Sequence, residues 1–182
     1  GYSDVDGHIF YCHWRNGHGE LDLNKAIEVS CNPYFIHLGL AAGGKRIVSL
    51  ARELGFTRAA QFTDEIKTQS GTLPDDSELR NDAAVANMAF GQGKLTATPV
   101  QIAQMISAVA NGGYAVTPRL VEGFTDDGKT FYEHTISYAP VQVFSDRTSK
   151  ILRKTLVNNV VNGSGKLARP IYSTAGGKTG SA

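Results

Sequence analysis

Two short runs of this chain combine hydroxyls with groups that can hold or move a proton: Ser30-Cys31-Asn32, just ahead of Pro33, and Lys178-Thr179-Gly180-Ser181. A serine hydroxyl becomes a useful nucleophile only when a neighbour takes its proton. A lysine one helical turn away, spaced Ser-x-x-Lys, can do so when burial or nearby positive charge lowers its pKa. No serine or threonine here has a lysine three positions on. Ser49-Leu50-Ala51-Arg52 comes near, but arginine stays protonated and cannot accept; Ser164-Gly165-Lys166 is one residue short. Each run also has a plainer reading when taken alone. Ser-Cys-Asn before a proline can be a helix cap, and Lys-Thr-Gly recurs by chance.

The remaining reactive side chains are few. Cys12 and Cys31 are too sparse for a disulfide framework and lack metal-ligand spacing. They are either two free thiols or, in an oxidising compartment, a single disulfide. Because Cys31 sits between Ser30 and Asn32, such a bond would tether that loop and could act as a redox latch. His18 has no second His, Cys or carboxylate at metal spacing, so it is expected to serve packing or a turn, and no metal site is expected. Gly91-Gln92-Gly93 lacks the Gly-Lys-Ser/Thr ending of a phosphate loop and reads as a helix connection.

These runs need a scaffold, and 182 residues can supply one with a real core. With 41% hydrophobic and 19% charged residues the chain reads as globular, and a net charge of +1 gives no electrostatic case for nucleic acid. No apolar run is long enough to span a bilayer. The chain opens without an initiator Met or signal peptide, so its N-terminus is expected to be a cut.

Residues 1–20, aromatic and glycine-punctuated, read as loop with at most one short strand. Helical spacing of Leu23, Ala26 and Ile27 predicts a helix over 22–30. Asn32 is expected to cap the next helix, with Pro33 at its first position and Gly43-Gly44 at its end. A third helix is predicted over 45–54, stopped by Gly55. After a polar surface connection over 56–82 comes a short helix over 83–90. Thr98-Pro99-Val100-Gln101 is a capping box, and Ile102, Met105, Ile106 and Val109 are the expected buried face. Short strands follow over 114–116, 120–124 and 130–136, the last two as a hairpin across Asp126-Asp127-Gly128. Ser145 caps a last helix over 146–161, with Ile151, Leu152, Thr155 and Val160 inward. Lys178 is expected on a strand. The expected class is α+β and mostly helical.

In this order and setting, Ser30-x-Asn32 and Lys178-Thr179-Gly180 match the second and third signatures of the serine enzymes that react with β-lactams. The resemblance extends along the chain. The stretches 18–23 and 30–35 look like the helix and loop bearing the second motif in class B penicillin-binding proteins. The block from Gly91-Gln92-Gly93-Lys94 through Thr98-Pro99-Val100-Gln101 to Asn111-Gly112-Gly113, and the end Ala175-Gly176-Gly177-Lys178-Thr179-Gly180-Ser181-Ala182, are similar to that family too.

The resemblance implies a peptidoglycan D,D-transpeptidase, with residues 1–182 an incomplete fragment of its transpeptidase fold. The fragment would lack the upstream Ser-x-x-Lys helix, hence the nucleophile, and the later sheet strands and terminal helix. Ser30 would relay a proton to the leaving amine, and Asn32 would bond the peptide's amide. Lys178 would place positive charge beside Ser30, while Thr179 and Ser181 would meet the substrate carboxylate. Gly180 would let a peptide lie against the strand edge. Stem peptide and β-lactams are the implied partners, without cofactor or nucleic acid, outside the cytoplasmic membrane on an N-terminal anchor beyond this sequence. A β-lactam sensor or β-lactamase, or a non-catalytic interaction module, are the rivals. Unpaired strand edges near Lys178 suggest a homodimer.

Overall fold

In the computed structural model, which describes residues 1–63, 65–133 and 139–180, the chain opens on an antiparallel hairpin rather than the expected loop. β1 (Tyr2–Val5) pairs with β2 (His8–Tyr11) across Asp6-Gly7. Both turn residues are left-handed, at φ 51° and 80°, as a tight hairpin turn requires. The Asp4 carboxylate accepts from the Gly7 N–H at 2.9 Å. Val5 and Phe10 then pack on Ile36, Leu40, Ala86 and Phe90.

A helical body follows: α1 (Leu23–Glu28), α2 (Asn32–Ala42), α3 (Gly44–Glu53), α4 (Asp82–Ala89), α5 (Pro99–Ala110) and α6 (Asp146–Asn162). Local caps explain most starts. Asp22, Asn81 and Ser145 accept backbone N–H bonds, and Thr98 with Gln101 forms the full capping box. α2 and α4 approach closely because Gly39 lacks the Cβ that would collide with Ala89.

The expected inward faces need correction. In α5, Gln101, Ala108 and Val109 are buried, whereas Ile102 and Ile106 are exposed. Gln101 is 1% exposed, and the two N–H bonds of its Nε2 are shared among the carbonyls of Gly55, Phe56 and Arg58, at 3.1, 2.8 and 3.1 Å. A polar side chain wins the inward position because it satisfies the irregular chain after α3. In α6, Ser149, Thr155, Asn159 and Val160 are buried and Ile151 is exposed. Ser149 Oγ donates to Val109 O at 2.7 Å, tying α6 to α5, and Thr155 Oγ1 donates to Asn24 Oδ1 at 2.7 Å, tying α6 to α1.

The remaining strands are short. β3 (Tyr114–Ala115) pairs with β6 (Val141–Gln142), a partner not anticipated, and β4 (Gly123–Phe124) pairs with β5 (Tyr132–Glu133) as the expected hairpin. The end of the predicted strand over 130–136 lies outside the described residues. Lys178 is not in a strand: residues 174–180 have no ladder partner among the described residues. They are held instead by α6, where Gly177 N–H donates to Leu156 O at 3.1 Å and Asn159 Nδ2 donates to Gly177 O at 2.7 Å. The result is a mostly helical body with small sheets. Among the described residues no helix is long and apolar enough to cross a membrane.

Candidate active site

Ser30 owes its position to the way α1 ends. The Ser30 N–H bonds Ile27 O at 3.2 Å and the Cys31 N–H bonds Ala26 O at 3.0 Å, the paired pattern of a Schellman turn. That turn places its first residue past the cap in the left-handed region, where glycine is usual. Here the residue is Ser30, at φ 52°. A left-handed L-residue costs roughly 1–2 kcal/mol. The chain carries that strain at a position whose hydroxyl faces Lys178.

Lys178 Nζ donates to Ser30 Oγ at 3.0 Å, joining residues 148 apart in sequence. The same ammonium donates to Thr179 O at 2.9 Å and Thr179 Oγ1 at 3.1 Å. Loss of hydration in the cleft pushes its pKa below the ordinary lysine value. Asn32 does not cap α2 as expected. It is the first residue of that helix, Cys31 takes the cap position without a side-chain bond, and Pro33 follows. The Asn32 amide is therefore not committed to a cap. Ser30, Asn32, Lys178, Thr179 and Gly180 line one cleft of about 880 Å³, a size suited to a small-molecule or peptide end. Ser181 lies outside the described residues.

Cys12 and Cys31 are free thiols, buried in one cluster with Ala26. Burial pushes the Cys31 thiol up, and adjoining Cys12 adds to this against a lowering bond from the Tyr34 backbone.

The isolation expected of His18 is overturned. Gly17 is left-handed and its N–H bonds Trp14 O at 3.0 Å, so the chain reverses and sets His13 beside His18. Their ring centroids are 5.2 Å apart, and Cys12 Sγ lies 3.3 Å from His18 Nδ1 and 3.9 Å from His13 Nδ1. These donor atoms all fall within 4.8 Å of one another, a spacing one divalent ion could bridge. Burial first, then His13 and the N-terminal ammonium, hold His18 below its ordinary imidazole value. Both histidines also line the cleft.

Sequence reasoning missed Asn159 and Ser164. Ser164 lines the cleft, its hydroxyl lies 3.0 Å from that of Thr179, and its N–H donates to Glu28 O at 2.8 Å. The turn after α6, Asn162-Gly163-Ser164-Gly165, carries glycines that mark a loop but no cue to what it touches.

The chain matches the penicillin binding protein transpeptidase domain over residues 4–182. It is 31% identical over 183 residues to stage V sporulation protein D of Bacillus subtilis, covering 100% of this chain and 28% of that protein. To peptidoglycan D,D-transpeptidase MrdA of Acinetobacter baumannii it is 29% identical over 189 residues, covering 97% and 27%. The solved D,D-transpeptidase domain of a peptidoglycan glycosyltransferase from Eggerthella lenta superposes with a TM-score of 0.86 at 24% identity, over 99% of this chain and 46% of that one. Penicillin binding protein 3 of Mycobacterium tuberculosis, complexed with aztreonam, gives 0.72 at 23% identity, over 86% and 34%. The chain spans less than a third of the two curated relatives and less than half of the two solved chains.

Proposed function

The chain belongs to the penicillin-binding protein transpeptidase family, and from that premise we propose that it is part of a peptidoglycan D,D-transpeptidase. The reaction would acylate a serine outside these 182 residues with the end of a stem peptide, release the terminal D-alanine, and pass the acyl group to an amine on a neighbouring strand. The observation that carries the reading is the 3.0 Å bond between Lys178 Nζ and Ser30 Oγ inside a cleft also lined by Asn32 and Thr179. A lysine in this state is a donor only. It leaves the Ser30 proton free to be given to a leaving amine, and keeps positive charge where a substrate carboxylate would sit. Asn32 would hold the peptide's amide and Ser181 its carboxylate, with Thr179 acting on that carboxylate through the Lys178 ammonium, from which it accepts. Gly180 leaves open space, since nothing lies within 4 Å of where its Cβ would be.

Residues 1–182 are read as one part of the transpeptidase domain, on the outer face of the cytoplasmic membrane. Oxidation of Cys12 and Cys31 to a disulfide would tether the Ser30 loop; a disulfide-linked peptide by mass spectrometry supports it, and two alkylatable thiols after full oxidation refute it. Self-association through the Lys178 segment would appear as a dimer in light scattering, and a monodisperse monomer removes it.

Fluorescent penicillin labelling tests the main reading. The longer protein carrying this chain is expected to be labelled and the chain alone is not. If neither is labelled, a non-catalytic interaction module replaces the transpeptidase. Rapid loss of label from the longer protein would favour a β-lactamase.

A further inference from the structure

The third-motif segment has no strand partner among the described residues, yet Lys178 Nζ is set within hydrogen-bond reach of both Ser30 and Thr179. What holds them is a chain of hydrogen bonds whose direction can be worked out. Gly177 O can only accept, so the group facing it at 2.7 Å is the Asn159 amide nitrogen. The Asn159 oxygen is then an acceptor, and Ser164 Oγ donates its one proton to it at 3.2 Å. With that proton committed, Ser164 Oγ can only accept from Thr179 Oγ1, 3.0 Å away. Thr179 Oγ1 in turn accepts from Lys178 Nζ at 3.1 Å. The protons therefore run one way, from Lys178 through Thr179 and Ser164 to Asn159 and back to the backbone just before Lys178. Asn159 is fully buried in α6, so the chain is fixed to a rigid element.

We propose that Ser164, held by Asn159, is a positioning residue that fixes the Thr179 hydroxyl as an acceptor for Lys178, and so sets the Lys178 ammonium for an anionic acyl donor. The proposal rests on the transpeptidase reading. Ser164 acts through Thr179. Its backbone bond to Glu28 O is unaffected when only its hydroxyl is removed, so a side-chain substitution breaks its bonds to Asn159 and Thr179 alone, and the Thr179→Val background separates the two.

The test is the rate of penicillin acylation at several penicillin concentrations in the longer protein, resolved into binding and acylation steps. It compares Ser164→Ala, Ser164→Thr, Thr179→Val and the Ser164→Ala/Thr179→Val double variant, with thermal unfolding in parallel. Ser164→Ala is expected to lower the second-order rate about tenfold, the scale of one hydrogen bond. Ser164→Thr restores most of it, because the hydroxyl returns. In the Thr179→Val background, Ser164→Ala adds less than about twofold, since the partner it acts on is gone. A Ser164→Ala protein that reacts at the wild-type rate overturns the proposal. So does an equal loss in both backgrounds, which would make Ser164 a packing residue independent of Thr179. If the wild-type protein itself is not acylated, the transpeptidase reading fails and this one with it. Wild-type acylation with an indifferent Ser164 sinks this one alone.

Discussion

Replacing Ser30 separates the strain at that residue from its chemistry. Ser30→Ala and Ser30→Gly both remove the hydroxyl bonded by Lys178 Nζ at 3.0 Å, so both should reduce acylation by the same factor. They differ in backbone. At φ 52° alanine keeps the left-handed cost, roughly 1–2 kcal/mol, and glycine releases it. Glycine also gives the unfolded chain more freedom, which takes back about 0.4–1 kcal/mol. The net expectation is that the Gly variant is more stable than the Ala variant by about 0.5–1 kcal/mol. For a domain of this size that is a rise of about 1–4 °C in the unfolding midpoint. Differential scanning calorimetry of the transition assigned to this domain reads the midpoint, and penicillin labelling reads the chemistry. The Schellman turn makes the sign definite, because its two bonds, from Ser30 N–H and Cys31 N–H, are made by backbone and persist in both variants. Equal midpoints for Ala and Gly would show that no strain is stored at Ser30. An active Gly variant would refute the role of its hydroxyl.

Three further expectations follow from the same geometry. Gly180→Ala meets nothing within 4 Å, so it should leave thermal unfolding unchanged while slowing penicillin acylation at least tenfold if a ligand lies against this segment; unchanged acylation would place the ligand elsewhere. Gln101→Met removes the donor serving the carbonyls of Gly55, Phe56 and Arg58, with an expected stability loss of about 3 kcal/mol by thermal or urea unfolding; a loss below about 1 kcal/mol would mean that water takes over its bonds. Because desolvation lowers the Lys178 pKa, the unfolded chain binds the extra proton between the folded value and the ordinary lysine value, and there the contribution of this group to stability rises with pH. Acylation should fall over that same alkaline window as the ammonium charge is lost, and a rate that stays flat to the ordinary lysine pKa would remove Lys178 from the reaction.

How much could be read in advance depended on how far apart the interacting atoms lie in sequence. The capping box of α5 closes within four residues, so Thr98 and Gln101 were legible as a unit, and so were the Asp126–Gly128 hairpin turn and the stop at Gly55. Asp6-Gly7 carried the same kind of local cue for a hairpin and was passed over. Periodicity failed where a distant partner decided which face goes in. Gln101 turns inward because the carbonyls after α3, more than 40 residues earlier, need a donor, and Ile102 and Ile106 are left outside. At Ser30 the left-handed turn was hidden because its usual cue, glycine, is absent. Lys178 reads as a strand residue, but a strand needs a partner for its ladder, and the bonds that hold this segment come from a helix.

The two motifs supply Ser30 and Lys178, yet neither fixes the distance between them. That distance is set at the C-terminal end of α6, which grips both sides of the cleft. Thr155 and the Ser164 N–H hold α1 by Asn24 and Glu28, two residues before Ser30; Leu156 and Asn159 hold Gly177, one residue before Lys178. Gly163 shows how little slack there is. A Cβ there would stand 2.6 Å from Glu28 Cα and 2.8 Å from Glu28 O, well inside van der Waals contact, so any side chain would push the end of α1 away from α6. A 3.0 Å bond between Ser30 and Lys178 cannot survive a displacement on the order of 1 Å in the element that carries Ser30. The polar face of α6, with its buried Thr155 and Asn159, is therefore the part of the scaffold that makes two separate sequence motifs into one site.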